Sequence, residues 1–327
     1  MMKSNDHFFQ SVCALAIPVA LQSSFSMVDQ IMIGQLGEIQ VAGVGLDGKF
    51  ASIYAVLISA IGAAAGIMVS QYLGQENNRG VRQSFFANLL LSGGIAGIFT
   101  AVCILFPERI MGAYTRDAQT RQTAAEYLAL ISGTFVPIAG AALLSTLLRC
   151  RERPRLPLYA SIAAALLNTG LNYILIFGKL GLAPMGIKGA AIATVISRYV
   201  ELAIVAGWTH SHKARNGFIV GAYRSMYIPG KLLKSITVKG MPLLANEFLW
   251  SSGMAVLNQC YSTCGLDVVP AMNICSTLFN LGSVVYLSMG NSVGIIMGQM
   301  LGAGHSEEDV RDTNRKLIAA SIASGVV

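Results

Sequence analysis

The stretch GAAAGIMVSQYLG at residues 62–74 occurs again as GNSVGIIMGQMLG at residues 290–302. Six of the thirteen positions are identical in order, and the two copies lie 228 residues apart. The correspondence extends outward from the motif, because Pro18 and Pro242 precede the copies at an offset of 224 residues. The sequence therefore predicts two copies of one structural unit of about 225 residues.

The composition indicates a membrane protein. Hydrophobic residues make up 54% of the chain and charged residues only 12%, with a mean hydropathy of +0.59. A soluble domain carries charge on about a quarter of its residues. Charge-free stretches cover residues 8–28, 50–75, 83–107, 127–148, 156–178, 248–266 and 268–304. Since a helix needs about 20 apolar residues to cross a bilayer, these stretches and a further span at 189–208 predict eight complete transmembrane helices.

The distribution of Lys and Arg predicts the orientation. With a cytoplasmic N-terminus, 16 of the 23 basic residues lie in the predicted inside segments, six lie outside and Arg198 lies in a span. This asymmetry follows the positive-inside rule, and it explains the net charge of +7. A nucleic-acid partner is disfavoured because no basic cluster is interleaved with stacking aromatic residues. We expect a multi-pass protein of the cell (inner) membrane.

The repeat predicts how the spans are grouped. Six helices per unit is an even number, so both units insert in the same orientation as parallel repeats, an arrangement typical of transporters. The predicted fold is an all-α bundle with a six-helix N-terminal lobe at residues 1–225. Residues 226–327 would begin the C-terminal lobe with helices 7 and 8 and part of helix 9. Doubling the unit predicts about 450 residues and twelve helices, so we expect the second lobe to be truncated, with residues 317–327 too short to span.

Two stretches match enzyme motifs but lack the required context. GNSVG fits the G-x-S-x-G pattern around Ser292, and GVGLDG at residues 43–48 fits G-x-G-x-x-G. The first motif needs a strand-to-helix turn and a His partner, and the second must follow a strand. The first repeat has Ala64 in place of Ser292, so the shared requirement is for small residues that allow close helix contact in lipid. We expect no enzymatic activity, and the isolated pair Cys260 and Cys264 does not predict a metal site.

Ionisable residues within predicted spans are costly and are candidate functional residues. Asp29 lies roughly 27 Å from the cytoplasmic end of the first span, counting 1.5 Å per residue. It could exchange a proton or a cation, or it could tie helices together through polar neighbours. Glu247, early in the seventh span, could face a substrate in the inner half of the membrane or extend to the cytoplasmic surface.

Two further polar pairs lie on shared helix faces. Arg198 and Glu201 are three residues apart, which favours a mutual ion pair over a transport role. Asn168 and Asn172 are one turn apart in the fifth span. Their amide oxygens could bind a cation, or the amides could hydrogen-bond to neighbouring helices.

Several of these stretches resemble one transporter family. They are SMVDQIMIGQLGEIQVAGVGL at 26–46, VSQYLGQ at 69–75, LRCRERPRLPLY at 148–159, NTGLNYILIFG at 168–178, GIKGAAIATVISRYVEL at 186–202 and MPLLANEFLW at 241–250. Together, in this order, they are similar to the multidrug and toxic compound extrusion (MATE) transporters. The resemblance covers nearly the whole chain.

The resemblance implies twelve helices in two lobes around a V-shaped cavity, and export of organic cations in exchange for H⁺ or Na⁺. It implies cation coupling at Asp29, Asn168 and Asn172, although one branch of the family has an acid where this chain has Asn172. Gln71 and Glu247 are the candidates for binding a cationic small molecule. Other branches of the family have acidic residues in the same helix as Glu247, but at a somewhat different distance from the proline. No cofactor is expected beyond the coupling ion. The alternatives are a lipid-linked saccharide flippase of the same superfamily and an inactive, truncated membrane protein.

Overall fold

The computed structural model of the chain describes residues 31–151, 153–212, 219, 230–262, 290 and 292–326. The first predicted span at 8–28 lies outside these residues, and Asp29 and most of the span at 268–304 lie outside them too. The described part of the chain contains helices and turns but no strand.

The helices follow the chain in a simple order. They are α1 (Glu38–Gly74), α2 (Asn78–Leu105), α3 (Pro107–Gly112), α4 (Ala118–Ile131), α5 (Phe135–Cys150), α6 (Arg155–Phe177), α7 (Ile187–Ser211), α8 (Gly230–Ser262), α9 (Ser292–Ala303) and α10 (Glu307–Val326). A 3₁₀ turn, Ser132–Thr134, joins α4 to α5.

Within the described residues, five segments are long and apolar enough to cross a membrane. They are Glu38–Gly74, Asn78–Leu105, Ala118–Cys150, Arg155–Phe177 and Ile187–Ser211. These segments confirm the predicted spans at 50–75, 83–107, 127–148, 156–178 and 189–208. The all-α membrane fold is confirmed with them.

Two helices begin earlier than their apolar residues indicate. Helix α8 starts at Gly230, well before the charge-free stretch at 248–266. Helix α10 starts at Glu307 and is 20 residues long, so the expected eleven-residue segment at 317–327 is only the apolar end of a longer helix. Its N-terminus is stabilised locally, because the Ser306 hydroxyl donates to Asp309 Oδ2 over 2.6 Å and accepts from Asp309 N over 3.2 Å.

The long helix α1 is the packing centre of the described bundle. Its successive contacts follow the residue order of α4 and α5, so it runs in the same direction as these helices, and small residues or a hydrogen bond mark each contact. Gly43 lies against α4, the Tyr54 hydroxyl donates to the Phe135 carbonyl oxygen over 2.5 Å, and Gly66 lies against Thr146. Small residues let α1 approach α4 and α5 closely, as the small residues of the repeated motif predict.

Apolar side chains fill the bundle in two main clusters. We call the first the Tyr54 cluster; it contains Tyr54, Leu128 and Phe135 together with residues of α2, α6 and α7. The second lies towards the C-terminal end of α1 and includes Val69 and Leu147. Helix α1 contributes to both clusters, so it joins the two halves of the lobe.

Candidate functional site

The two asparagines of α6 form a buried polar pair. Asn168 is 8% exposed and Asn172 only 1%. Asn172 Nδ2 donates to Asn168 Oδ1 over 3.3 Å, and Asn168 Nδ2 donates to Thr194 Oγ1 over 3.2 Å. The Thr194 hydroxyl in turn donates to the Ala190 carbonyl oxygen over 2.9 Å. The structure therefore brings the predicted pair together and links it to α7.

The close approach of α6 and α7 fixes this pair in place. A Cβ atom at Gly189 would lie 2.7 Å from the backbone C and O atoms of Leu175, so only glycine fits there. A backbone hydrogen bond also holds the loop between the helices against α6, because Met185 N donates to the Leu175 carbonyl oxygen over 2.9 Å. Such packing holds the asparagine amides in one geometry, as an ion site requires.

The predicted ion pair between Arg198 and Glu201 is present in α7. Their side chains are 30% and 16% exposed, and Arg198 Nη1 lies 2.8 Å from Glu201 Oε2. Arg149 at the end of α5 also interacts electrostatically with Glu201. Glu201 thus has two basic neighbours, and the structural role of its pair with Arg198 stays a prediction.

The two candidate substrate residues lie on helices that pack together. Gly240 of α8 faces Ala64 of α1, with 3.7 Å between the position of a Gly240 Cβ and the Ala64 Cβ. Residues seven apart lie on nearly the same helix face, so Glu247 is on the side of α8 that faces α1. Glu247 is half-buried and seventeen residues from the start of α8. Gln71 lies near the C-terminal end of α1.

The two copies of the repeated motif meet where α1 crosses α9. A Cβ at Gly74 would overlap the Gln299 carbonyl oxygen, and a Cβ at Gly302 would overlap the Gln71 carbonyl oxygen. Gly74 and Gly302 are equivalent positions of the repeat, as are Gln71 and Gln299. The contact is therefore reciprocal, as a local two-fold relation between the repeats requires. We call this contact the α1–α9 crossing.

Two further contacts secure the crossing. A Cβ at Gly298 would overlap the hydroxyl of Ser70. Ser70 is the residue of the first copy that is equivalent to Gly298. Gln299 Nε2 donates to the Cys150 carbonyl oxygen at the end of α5 over 2.7 Å. Helix α9 thus contacts both α1 and α5 at their C-terminal ends.

Asp47 is a buried ionisable residue that sequence reasoning missed. It is 4% exposed, and within the described residues its Oδ1 has no hydrogen-bond partner. The charge-free stretch begins at Phe50, which placed Asp47 in a loop, but α1 begins nine residues before Asp47. The apolar residues at 41–46 were the available signal that the helix extends this far.

Two residues named in the sequence analysis fall outside the described part of the chain. Asp29 and Cys264 lie outside the described residues. Among the residues that the structure describes, no group of three or more His, Cys, Asp or Glu side chains could hold a metal ion.

Comparisons with known proteins agree with this fold. A MatE family model matches residues 14–174. A probable multidrug resistance protein NorM of Thermotoga maritima is 25% identical over 300 residues, covering 90% of this chain, and a NorM of Halalkalibacterium halodurans is 24% identical over 310 residues, covering 93%. A mutant of the Vibrio cholerae MATE transporter VcmN superimposes with a TM-score of 0.84 at 22% identity, covering 96% of this chain.

The chain spans 63% and 66% of the length of the two NorM relatives and 68% of the Vibrio chain. The family match and the relatives make the chain similar to MATE transporters, and the solved structures show that it shares their fold. The NorM relatives are named as multidrug resistance proteins.

Proposed function

We propose that the chain belongs to a secondary active antiporter that exports drugs or organic cations in exchange for H⁺ or Na⁺. It would reside in the cell (inner) membrane with a cytoplasmic N-terminus. Two six-helix lobes would alternate between inward-open and outward-open arrangements around a central cavity. The names of the NorM relatives support a small-molecule cargo.

The α1–α9 crossing is the observation that carries this proposal. It joins the first copy of the motif to the second through the same residue positions in both. In the orientation predicted from Lys and Arg, it lies at the cytoplasmic end of α1. A contact of this kind closes one side of a cavity between two lobes, and its separation would open that side.

The coupling ion would bind in the N-terminal lobe. Asn168 and Asn172 offer amide oxygens in a rigid, buried setting, and Asp29 would supply the charge that changes with proton or cation binding. Half-buried Glu247, on the face of α8 directed at α1, would attract cationic substrates from the inner side, with Gln71 at the inner end of the same path.

The test is transport by the polypeptide expressed from its native gene and reconstituted in lipid vesicles. A fluorescent organic cation would be followed under an imposed proton gradient and, separately, a sodium gradient. We expect gradient-driven movement in the wild type and its loss in Asp29→Asn, because the neutral amide cannot exchange a charge. The matched control is Asp312→Asn, which removes an exposed carboxylate that pairs with Lys316.

Each result bears on a different part of the proposal. Transport that persists in Asp29→Asn would remove Asp29 from the coupling mechanism. Transport under neither gradient by a correctly inserted wild type would contradict the antiporter function, and extraction of lipid-linked sugars instead would favour a flippase.

A further inference from the structure

The residue least explained by the proposed transport cycle is Asp47 of α1. Its side chain is 96% removed from solvent, and its Oδ1 has no hydrogen-bond partner among the described residues. Burying an ionised carboxylate without a partner costs far more free energy than burying the neutral acid. Ionisable groups retained in such positions of membrane proteins are usually functional.

The surroundings of Asp47 are apolar. Gly43, one helical turn earlier on the same face, packs against the backbone of Ala124 in α4. The Tyr54 cluster continues along this side of α1 and includes Cys103 of α2, which interacts electrostatically with Asp47. Asp47 therefore lies where α1 meets both α2 and α4.

Among the described residues, no charged group on the neighbouring helices hydrogen-bonds to Asp47 Oδ1. Arg121 of α4 lies beside α3, with its Cδ 3.7 Å from a Cβ position at Gly112. Glu126 of α4 is in an ion pair with Lys188 of α7 at 3.0 Å. Arg109 of α3 lies over the Phe106 ring, 5.4 Å from its centroid.

Residues 135–148 of α5 contain no ionisable side chain. Helix α8 packs against α1 near Ala64, which lies about 26 Å along α1 from Asp47 at 1.5 Å per residue. On α1 itself, Lys49 is exposed and, two residues away, lies on another face of the helix. The titratable groups of the cluster are the Cys103 thiol and the Tyr54 and Tyr127 phenols.

We propose that Asp47 is a proton-binding site, separate from the asparagine pair, whose carboxyl group is protonated in this arrangement of the helices. A metal cation is a poorer occupant, since hard cations need several oxygen ligands. The Tyr54 hydroxyl is already committed as a donor to the Phe135 carbonyl oxygen. Separation of α1 from α2 and α4 would admit water, stabilise the carboxylate and release the proton.

The site has a defined position along the helix. Asp47 is nine residues from the start of α1, about 14 Å at 1.5 Å per residue. In the orientation predicted from Lys and Arg, this is the outer end of the lobe. Proton exchange at Asp47 would therefore occur with the outer solution.

The test is infrared spectroscopy of the full polypeptide in lipid vesicles at pH 7, recording the C=O stretch of protonated carboxyl groups. We expect the wild type to show a band that is lost in Asp47→Asn and moved in frequency in Asp47→Glu. The control is Asp117→Asn. Hydrogen bonds from the Thr120 side chain and then its backbone N–H lower the pKa of the exposed Asp117 carboxyl, so it is ionised at pH 7 and its removal leaves the band unchanged.

An unchanged band in Asp47→Asn would overturn the proposal, because Asp47 would then be ionised and paired. If Asp47→Asn does not insert, the Asp47→Glu spectrum decides instead. An Asp47→Glu band at the same frequency as in the wild type would overturn the proposal. The spectrum reports only whether the Asp47 carboxyl group is protonated, and it does not require the protein to transport a substrate. A failure of the antiporter function would therefore leave the band intact, whereas a failure of this inference would not affect efflux driven through Asp29.

Discussion

The two copies of the repeated motif share a sequence pattern but make different contacts in their first halves. In the first copy, Gly62 and Gly66 pack against Thr146 of α5. In the second copy, Gly290 and Gly294 have no heavy atom of the described residues within 4 Å of a Cβ position.

The second halves of the copies behave alike. Gly74 and Gly302 each meet the carbonyl oxygen of the glutamine in the opposite copy. The comparison teaches that one motif serves two contacts: its first half packs within a lobe, and its second half packs between lobes. Substitutions in the two halves should therefore affect different properties.

The largest effect is expected at the crossing itself. Gly302→Ala and Gly74→Ala each place a methyl group against a backbone carbonyl, which cannot move away as a side chain could. Overpacking of this kind costs about 1–3 kcal/mol, so the ratio of the closed to the open arrangement should fall by about 5- to 150-fold. Vesicle efflux should fall by a similar factor, while insertion is retained. Equal efflux in these variants and the wild type would contradict the inference that the second half of the motif packs between the lobes.

The next effect concerns the hydrogen bond from Gln299 to the end of α5. Gln299→Leu removes the donor to the Cys150 carbonyl oxygen, and a typical net hydrogen bond contributes about 1 kcal/mol. We expect weaker closure but unchanged stability of the N-terminal lobe. Thermal unfolding of the lobe and efflux should be measured together, because a loss of lobe stability alone would show that Gln299 is not an inter-lobe residue.

Gly66→Ala should act within the lobe. A Cβ there would lie 3.3 Å from Thr146 Cγ2, so the threonine must shift by a few tenths of an ångström. We expect a loss of lobe stability below about 1 kcal/mol, at the lower edge of overpacking costs. Its partner variant Thr146→Ser removes the contacting methyl and should restore the stability. No restoration would mean that the contact does not limit this position.

The smallest effect is expected at Gly294, where space is open in the described structure. Alanine is favoured over glycine inside a helix by about 0.5–1 kcal/mol, so Gly294→Ala should leave efflux unchanged and slightly stabilise α9. Hydrogen exchange of the α9 amides would detect this. Marked destabilisation would reveal a close neighbour from the residues that the structure does not describe.

Much of the fold follows directly from the sequence. Charge-free runs predicted four of the five spans, because a membrane helix must be largely apolar along its length, and the fifth, at 189–208, is apolar apart from Arg198 and Glu201. The Arg198–Glu201 and Asn168–Asn172 contacts follow from helical spacing, since residues three or four apart are neighbours. Their functional roles remain predictions.

Other features depend on tertiary packing. Helices α8 and α10 extend beyond their apolar runs into polar sequence, where composition gives no boundary. Helix α1 continues through the charged residues Asp47 and Lys49, which end the charge-free run, and this is why Asp47 was assigned to a loop. The repeat predicted close helix contacts but not their partners. Only the structure shows that Gly302 meets Gln71 and that Thr194 completes the asparagine pair.

The most direct test of the central claim is cysteine cross-linking across the crossing. In a chain whose six native cysteines are replaced by serine, Ser70→Cys and Gly298→Cys would be introduced together and oxidised. The Cβ position at 298 lies 3.0 Å from Ser70 Cβ, so a separation of the helices by about 0.5 Å brings the two Cβ atoms to the distance found in disulfides. The control pairs Ser70→Cys with Gly294→Cys, one turn away. We predict a disulfide in the first pair only, with efflux blocked on oxidation and recovered on reduction. No disulfide, or a cross-linked protein that still transports, would contradict closure at this contact.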